Sequence, residues 1–82
     1  MGTVVKDEIY RILASDPSYM VSYTQATEAG VDAVLEYMRG LRRYFQWDYS
    51  YTSHPDEEGA TVTIFWIEEG QLDYTTLTYR NI

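Results

Sequence analysis

Carboxylates are the reactive groups this sequence offers in quantity: thirteen Asp and Glu, against six Lys and Arg, one His and no Cys in 82 residues. Without a thiol there is no disulfide framework, no thiolate metal site and no redox chemistry. The one imidazole, His54, adjoins Pro55 in a polar stretch. A general base needs an oriented partner, and none is indicated near it, so His54 reads as an exposed turn residue. The run Asp56-Glu57-Glu58 lacks the spaced oxygen ligands of a calcium loop. Hydroxyl side chains are plentiful, but none stands in a nucleophile elbow. Gly30, Gly40, Gly59 and Gly70 are too scattered for a phosphate loop. The expectation is a protein that is not an enzyme and holds neither metal nor cofactor.

What the acids do supply is a field. Residues 46–82 carry seven carboxylates (Asp48, Asp56, Glu57, Glu58, Glu68, Glu69 and Asp73) against Arg80 alone, whereas residues 1–45 carry six against five basic residues. Nearly all of the net charge of −7 therefore lies in the second half. Such a field repels phosphate backbones and draws basic surfaces. It also serves solubility, and acidic turns discourage sheet edges from aggregating. Arg39, Arg42 and Arg43 gather at the end of one helical pattern, where they complement the helix dipole.

The elements that must position these groups are legible from periodicity. Val31, Val34, Leu35, Met38, Leu41, Tyr44 and Phe45 draw one apolar stripe at helical spacing, with Asp32, Glu36 and the arginines opposite. This amphipathic helix, expected from about Thr27 to Tyr44, is the organising element. An earlier stripe, Val5, Ile9, Ile12 and Leu13, marks a first helix capped by Thr3 and ended near Pro17, with Asp7 and Arg11 as a surface pair. Between them, Tyr19, Val21 and Tyr23 alternate as in a short strand, although Ser22-Tyr23-Thr24-Gln25 also has capping-box spacing. Gly30 either breaks the second helix or weakens it.

From Gln46 the period changes to two. Trp47, Tyr49 and Tyr51 alternate with Asp48, Ser50 and Thr52; residues 61–67 form the strongest strand pattern; Leu72 to Tyr79 completes a meander. Placing Tyr51 opposite Val62, and closing Glu68 onto Gln71 across Glu69-Gly70, assigns Trp47, Tyr49, Tyr51, Val62, Ile64, Trp66, Leu77 and Tyr79 to one helix-covered face. The other face is hydroxyl-rich, except where Phe65, Ile67, Leu72 and Tyr74 meet at one end. Such a cluster needs cover, either from the 19–23 segment or from another molecule.

The fold expected is α+β in one domain, residues 1–82, with two layers. N-terminal helices pack on an antiparallel β-meander of three strands, or four if residues 19–23 join it. No window nears the ~18 apolar residues of a membrane span, and Met1-Gly2-Thr3 opens no signal peptide. A cytoplasmic protein is expected, in the host cytoplasm if viral. The functional expectation is an acidic protein-binding module of inhibitor or adaptor type. Its contact residues would be Phe65, Ile67, Leu72 and Tyr74, with Glu68, Glu69 and Asp73 at the rim and Asp56, Glu57 and Glu58 in the acidic turn at the opposite end of the middle strand. The partner would be a basic protein surface, or a second copy in a homodimer; nucleic acid and membrane are disfavoured. Phage-type antagonists such as anti-CRISPR proteins and DNA mimics share this size and charge as a class, and would block a basic nucleic-acid-handling protein. The alternative is a winged-helix-like DNA-binding regulator, with helical segments over Thr3–Ala14, Tyr19–Ala29 and Val31–Phe45 followed by a hairpin.

Overall fold

A computed structural model describes residues 4–22, 25–41 and 46–80, without the side chain of Glu57. The chain forms α1 (Val4–Ala14), β1 (Met20–Ser22), β2 (Gln25–Ala26), α2 (Glu28–Leu41), β3 (Trp47–His54), a short 3-10 turn (Pro55–Glu57), β4 (Gly59–Glu68) and β5 (Gln71–Arg80). The class is α+β, with helices ahead of the main strands. The sheet has five strands in the order β1-β2-β5-β4-β3, and it is mixed. The antiparallel meander of three or four strands is thus extended by two short strands, with β2 running parallel to β5 through Ala26 and Tyr79. A two-residue strand carries no alternation to read, which is why the pattern did not announce it.

The meander keeps the expected register. Trp47, Tyr49 and Tyr51 stand opposite Trp66, Ile64 and Val62, and Val62, Ile67 and Glu68 opposite Leu77, Leu72 and Gln71. One face of β4 is buried at every second residue, from Ala60 through Val62, Ile64 and Trp66 to Glu68. Val5, Ile9 and Leu13 of α1 and Val31, Val34, Leu35 and Met38 of α2 close over it. Leu41 is only half-buried, being the last residue of α2. Arg42, Arg43, Tyr44 and Phe45, expected to prolong that helix, lie outside the described residues, as do the Thr3 cap and the Tyr23-Thr24 centre of the capping-box spacing.

Thr27 is the actual N-cap of α2. Its Oγ1 accepts the Gly30 N–H at 3.1 Å and its carbonyl accepts the Val31 N–H at 3.0 Å. Gly30 neither breaks nor merely weakens the helix. A Cβ there would run into the carbonyl oxygen of Tyr19, so the glycine lets α2 press against the turn before β1. On α1, Arg11 pairs with Glu8, three residues back, rather than with Asp7.

The N-terminus of α1 is capped from the far end of the chain. Glu68, 5% exposed, accepts the backbone N–H of Val4 at 3.2 Å and of Val5 at 3.3 Å, and the indole N–H of Trp66 at 3.2 Å. A carboxylate at a helix N-terminus meets both the unpaired N–H groups and the positive end of the dipole. Lys6 adds a second tie, with its Nζ 3.2 Å from Asp73 on β5. Glu68→Ala would leave three donors without their acceptor and should lower unfolding stability by roughly 3 kcal/mol. Glu68→Gln, isosteric but uncharged, should lose less than half of that in a denaturant titration. An unchanged midpoint for the alanine variant would mean that the cap contributes nothing.

Candidate functional site

Hydrogen bonding fixes which side of each strand faces outward. Ile67 donates its N–H to the Gln46 carbonyl at 3.0 Å, so the odd-numbered residues of β4 pair with β3 and the even-numbered ones with β5. The main-chain groups of Trp47, Tyr49 and Tyr51 on β3, and of Leu72, Tyr74 and Thr76 on β5, therefore point away from the meander. On β5, β2 reaches only the Tyr79 end. The strand from Leu72 to Leu77 has β4 on one side and, among the described residues, no strand on the other.

The helix-free face collects the expected cluster. Phe65 is half-buried, while Ile67, Tyr74 and Leu72 are 39%, 62% and 72% exposed. The pairs Phe65–Tyr74 and Ile67–Leu72 are directly opposed, so the four side chains form one patch. A shallow hollow of about 290 Å³ adjoins it, lined by Trp47, Asp48, Phe65, Ile67 and Leu72. Beyond the patch run hydroxyl pairs, Thr63 with Thr76 at 3.3 Å and Thr61 with Thr78 at 3.5 Å. Residues 19–22 do not cover the patch, and Tyr23 lies outside the described residues: β1 lies two strands out from β5, on the side where β2 meets Tyr79, at the other end of that strand.

The acids divide. Glu68, expected at the rim, is buried beneath α1 as its cap, because position 68 continues the helix-facing alternation of Val62, Ile64 and Trp66. Its charge had suggested a surface position; its register carries it inside. Asp73 also turns to the helix side, where Lys6 and the Tyr74 N–H (2.8 Å) hold its carboxyl below the usual carboxylate range, the N–H contributing most. Glu69 is exposed in the tight turn, at φ 53°. Asp56 and Glu58 are exposed at the opposite end of β4, and the side chain of Glu57 lies outside the described residues. Asp48, not among the expected contact residues, stands exposed beside Phe65 and accepts the Tyr49 N–H at 2.8 Å. An Asp thus sits on an outward N–H of each open edge, at Asp48-Tyr49 and Asp73-Tyr74. That repeated dipeptide was the readable signal.

Other candidates are structural. His54 is half-buried rather than exposed, its Nε2 2.7 Å from Thr61 Oγ1. Arg39 pairs with Glu36. The described residues contain two helices, and Gln25-Ala26 is a strand, so the three-helix order needed for a winged helix is missing. Among the described residues no three His, Cys, Asp or Glu converge on a metal-sized site, and no helix is long and apolar enough to cross a membrane.

Sequence reading also missed how β3 fares. Trp47, Tyr49 and Tyr51 do share the helix-side face, but β3 is an edge strand of the sheet. Tyr49 remains 39% and Tyr51 57% exposed. Trp47 stacks on Tyr49 with centroids 6.1 Å apart, and its buried Nε1 has no acceptor among the described residues. The Tyr51 and Tyr79 hydroxyls meet at 3.4 Å. That hydrogen bond, with burial adding, raises the Tyr79 phenol from 10.0 to about 12. A raised pKa stabilises the fold below the unfolded value and is lost as pH rises through the folded one, here between about 10 and about 12. Tyr51→Phe should flatten the fall in unfolding stability across that window, and an unaltered slope would remove the pair from the account.

Comparison with protein-family models, with curated proteins and with solved structures finds no match to this chain.

Proposed function

We propose that this protein is a non-enzymatic acidic binding module of the inhibitor or adaptor kind. It engages a basic protein surface through the helix-free face of its sheet, in the manner of a phage-type antagonist of a nucleic-acid-handling protein. The observation that carries the reading is the Phe65, Ile67, Leu72 and Tyr74 patch, left open by every described element. Large apolar side chains in one place are the usual centre of an interface, and burying the patch recovers surface that monomers seldom leave in water. The flanking acids Asp48 and Glu69, with Asp56 and Glu58 at the far end, favour a cationic partner and speed its approach. Nothing in the geometry favours chemistry on a small molecule. We place the protein in the cytoplasm, that of a host if the source is viral.

The test is affinity capture from the native host cell with wild type and with Phe65→Ser/Leu72→Ser. The double variant should lose no more than about 3 kcal/mol of unfolding free energy and stay folded, because Leu72 is largely exposed and Phe65 only half-buried, and should lose a basic protein that wild type retains. Reversing Asp56, Glu58 and Glu69 to Lys should slow association with that protein at low salt. Equal capture by wild type and the double variant would reject the face as the interface. Saturable, salt-sensitive binding of wild type to random duplex DNA would favour a DNA-binding regulator instead.

A further inference from the structure

The open edge of β5 has features that the patch alone does not require. Leu72, Tyr74 and Thr76 direct their main-chain N–H and C=O groups outward over the run Leu72–Leu77, about 20 Å of strand. Apolar surface flanks this edge on both sides of the sheet. On the helix-free side stand Leu72 and Tyr74; on the helix side stands Tyr10 of α1, 45% exposed, its hydroxyl 2.9 Å from Thr75 Oγ1. Where β2 stops the run, a cavity of about 200 Å³ opens, lined by Tyr10, Leu13, Met20, Gln25, Thr76 and Leu77. It is bounded by apolar side chains and by the polar ends of Tyr10, Gln25 and Thr76. A hydrogen-bonding edge with apolar flanks above and below, and a side-chain-sized pocket at one end, has the form of a strand-addition site.

The geometry points to the β5 edge as the docking site for an extended, lysine- or arginine-bearing segment of the partner, which adds a strand beside Leu72–Leu77 in line with β2. The inference rests on the reading of this protein as a binding module and names the form its partner takes. Main-chain polarity calls for a strand, since a helix has no free N–H and C=O rows to offer. Charge calls for a basic one. Asp73 now holds the outward Tyr74 N–H at 2.8 Å, so an incoming carbonyl must displace it. Among the described residues Lys6 is the one cation paired with that carboxylate, at 3.2 Å, while exposed Asp7 and Glu69 occupy the same end of the sheet. A cation on the added strand takes up the displaced carboxylate. A second copy of this chain is the poorer occupant, because each copy brings a net charge of −7. The cavity at the β2 end accepts one apolar side chain, and alternate residues rest on Tyr10 and Tyr74.

The test pans the intact protein against a random dodecapeptide display library. Hydrogen exchange then locates the selected peptides. Enriched sequences should alternate apolar with polar residues, carry Lys or Arg, and slow exchange of the Tyr74 and Thr76 amides at least tenfold. N-methylation of alternate peptide amides should abolish that protection. Thr76→Pro removes an outward N–H while sparing the bonds to β4, so it should keep the fold by circular dichroism and weaken the peptide at least tenfold. Asp73→Ala, which frees the Tyr74 N–H and removes the carboxylate that the cation takes up, provides a second variant and should keep protection of the Thr76 amide while losing the preference for Lys or Arg. The idea is overturned if no such pattern is enriched, or if protection falls on β3. Protection of the β5 edge that rises with protein concentration in the absence of peptide would also overturn it, by showing a second copy there. A host partner lost by Phe65→Ser/Leu72→Ser but retained by Thr76→Pro would leave the face as interface and reject strand addition.

Discussion

The Glu68 carboxylate is the constraint on which this fold depends. It is buried among apolar side chains, and a buried anion is tolerated only where donors surround it. Two main-chain N–H groups of α1 and the Trp66 indole provide them. The bond works in both directions: the helix end needs an acceptor, and the carboxylate needs the helix end. α1 is therefore held at one depth and one orientation over the β4-β5 hairpin, which lets Val5, Ile9 and Leu13 enter the core together.

The two described helices cannot blanket five strands, and the sheet shows where the cover runs out. β4 and β5 lie under the helices, while edge strand β3 leaves Tyr49 and Tyr51 partly in water. No described helix lies on the opposite face. Most of it is clothed in threonine hydroxyls, ordinary for a solvated antiparallel sheet, so the apolar end stands out against its surroundings. Aspartates on outward amides at Tyr49 and Tyr74 place charge along the open edges, a common way to deter uncontrolled strand pairing.

Much of this was legible in the sequence. Alternation over residues 47–79 and the Glu69-Gly70 turn determined the meander register, because a one-residue slip would turn Val62, Ile64 and Trp66 out to solvent. The stripe from Val31 to Leu41 identified α2 for the same kind of reason. Glu68 was misread because its charge was weighed ahead of its parity with Trp66. The short β2 strand and the exposure of Tyr49 and Tyr51 were not readable locally, since both depend on the order of strands in the sheet. The Phe65, Ile67, Leu72 and Tyr74 patch was readable, being a matter of register alone. The β5 edge was not, because it exists only where β2 stops.

The separation between α1 and its cap has a consequence in time. Glu68 comes 64 positions after Val4 and 55 after Leu13, and the ribosome adds roughly 5–20 residues per second. For roughly 3–11 s, α1 is outside or within the exit tunnel with its apolar stripe made and its acceptor not yet synthesised. An isolated helix of eleven residues is marginal in water, so this segment waits largely unfolded. Completion of the last hairpin is then the event that recruits the first helix, and a nascent chain stalled before Glu68 would present Val5, Ile9 and Leu13 to whatever chaperone is nearby.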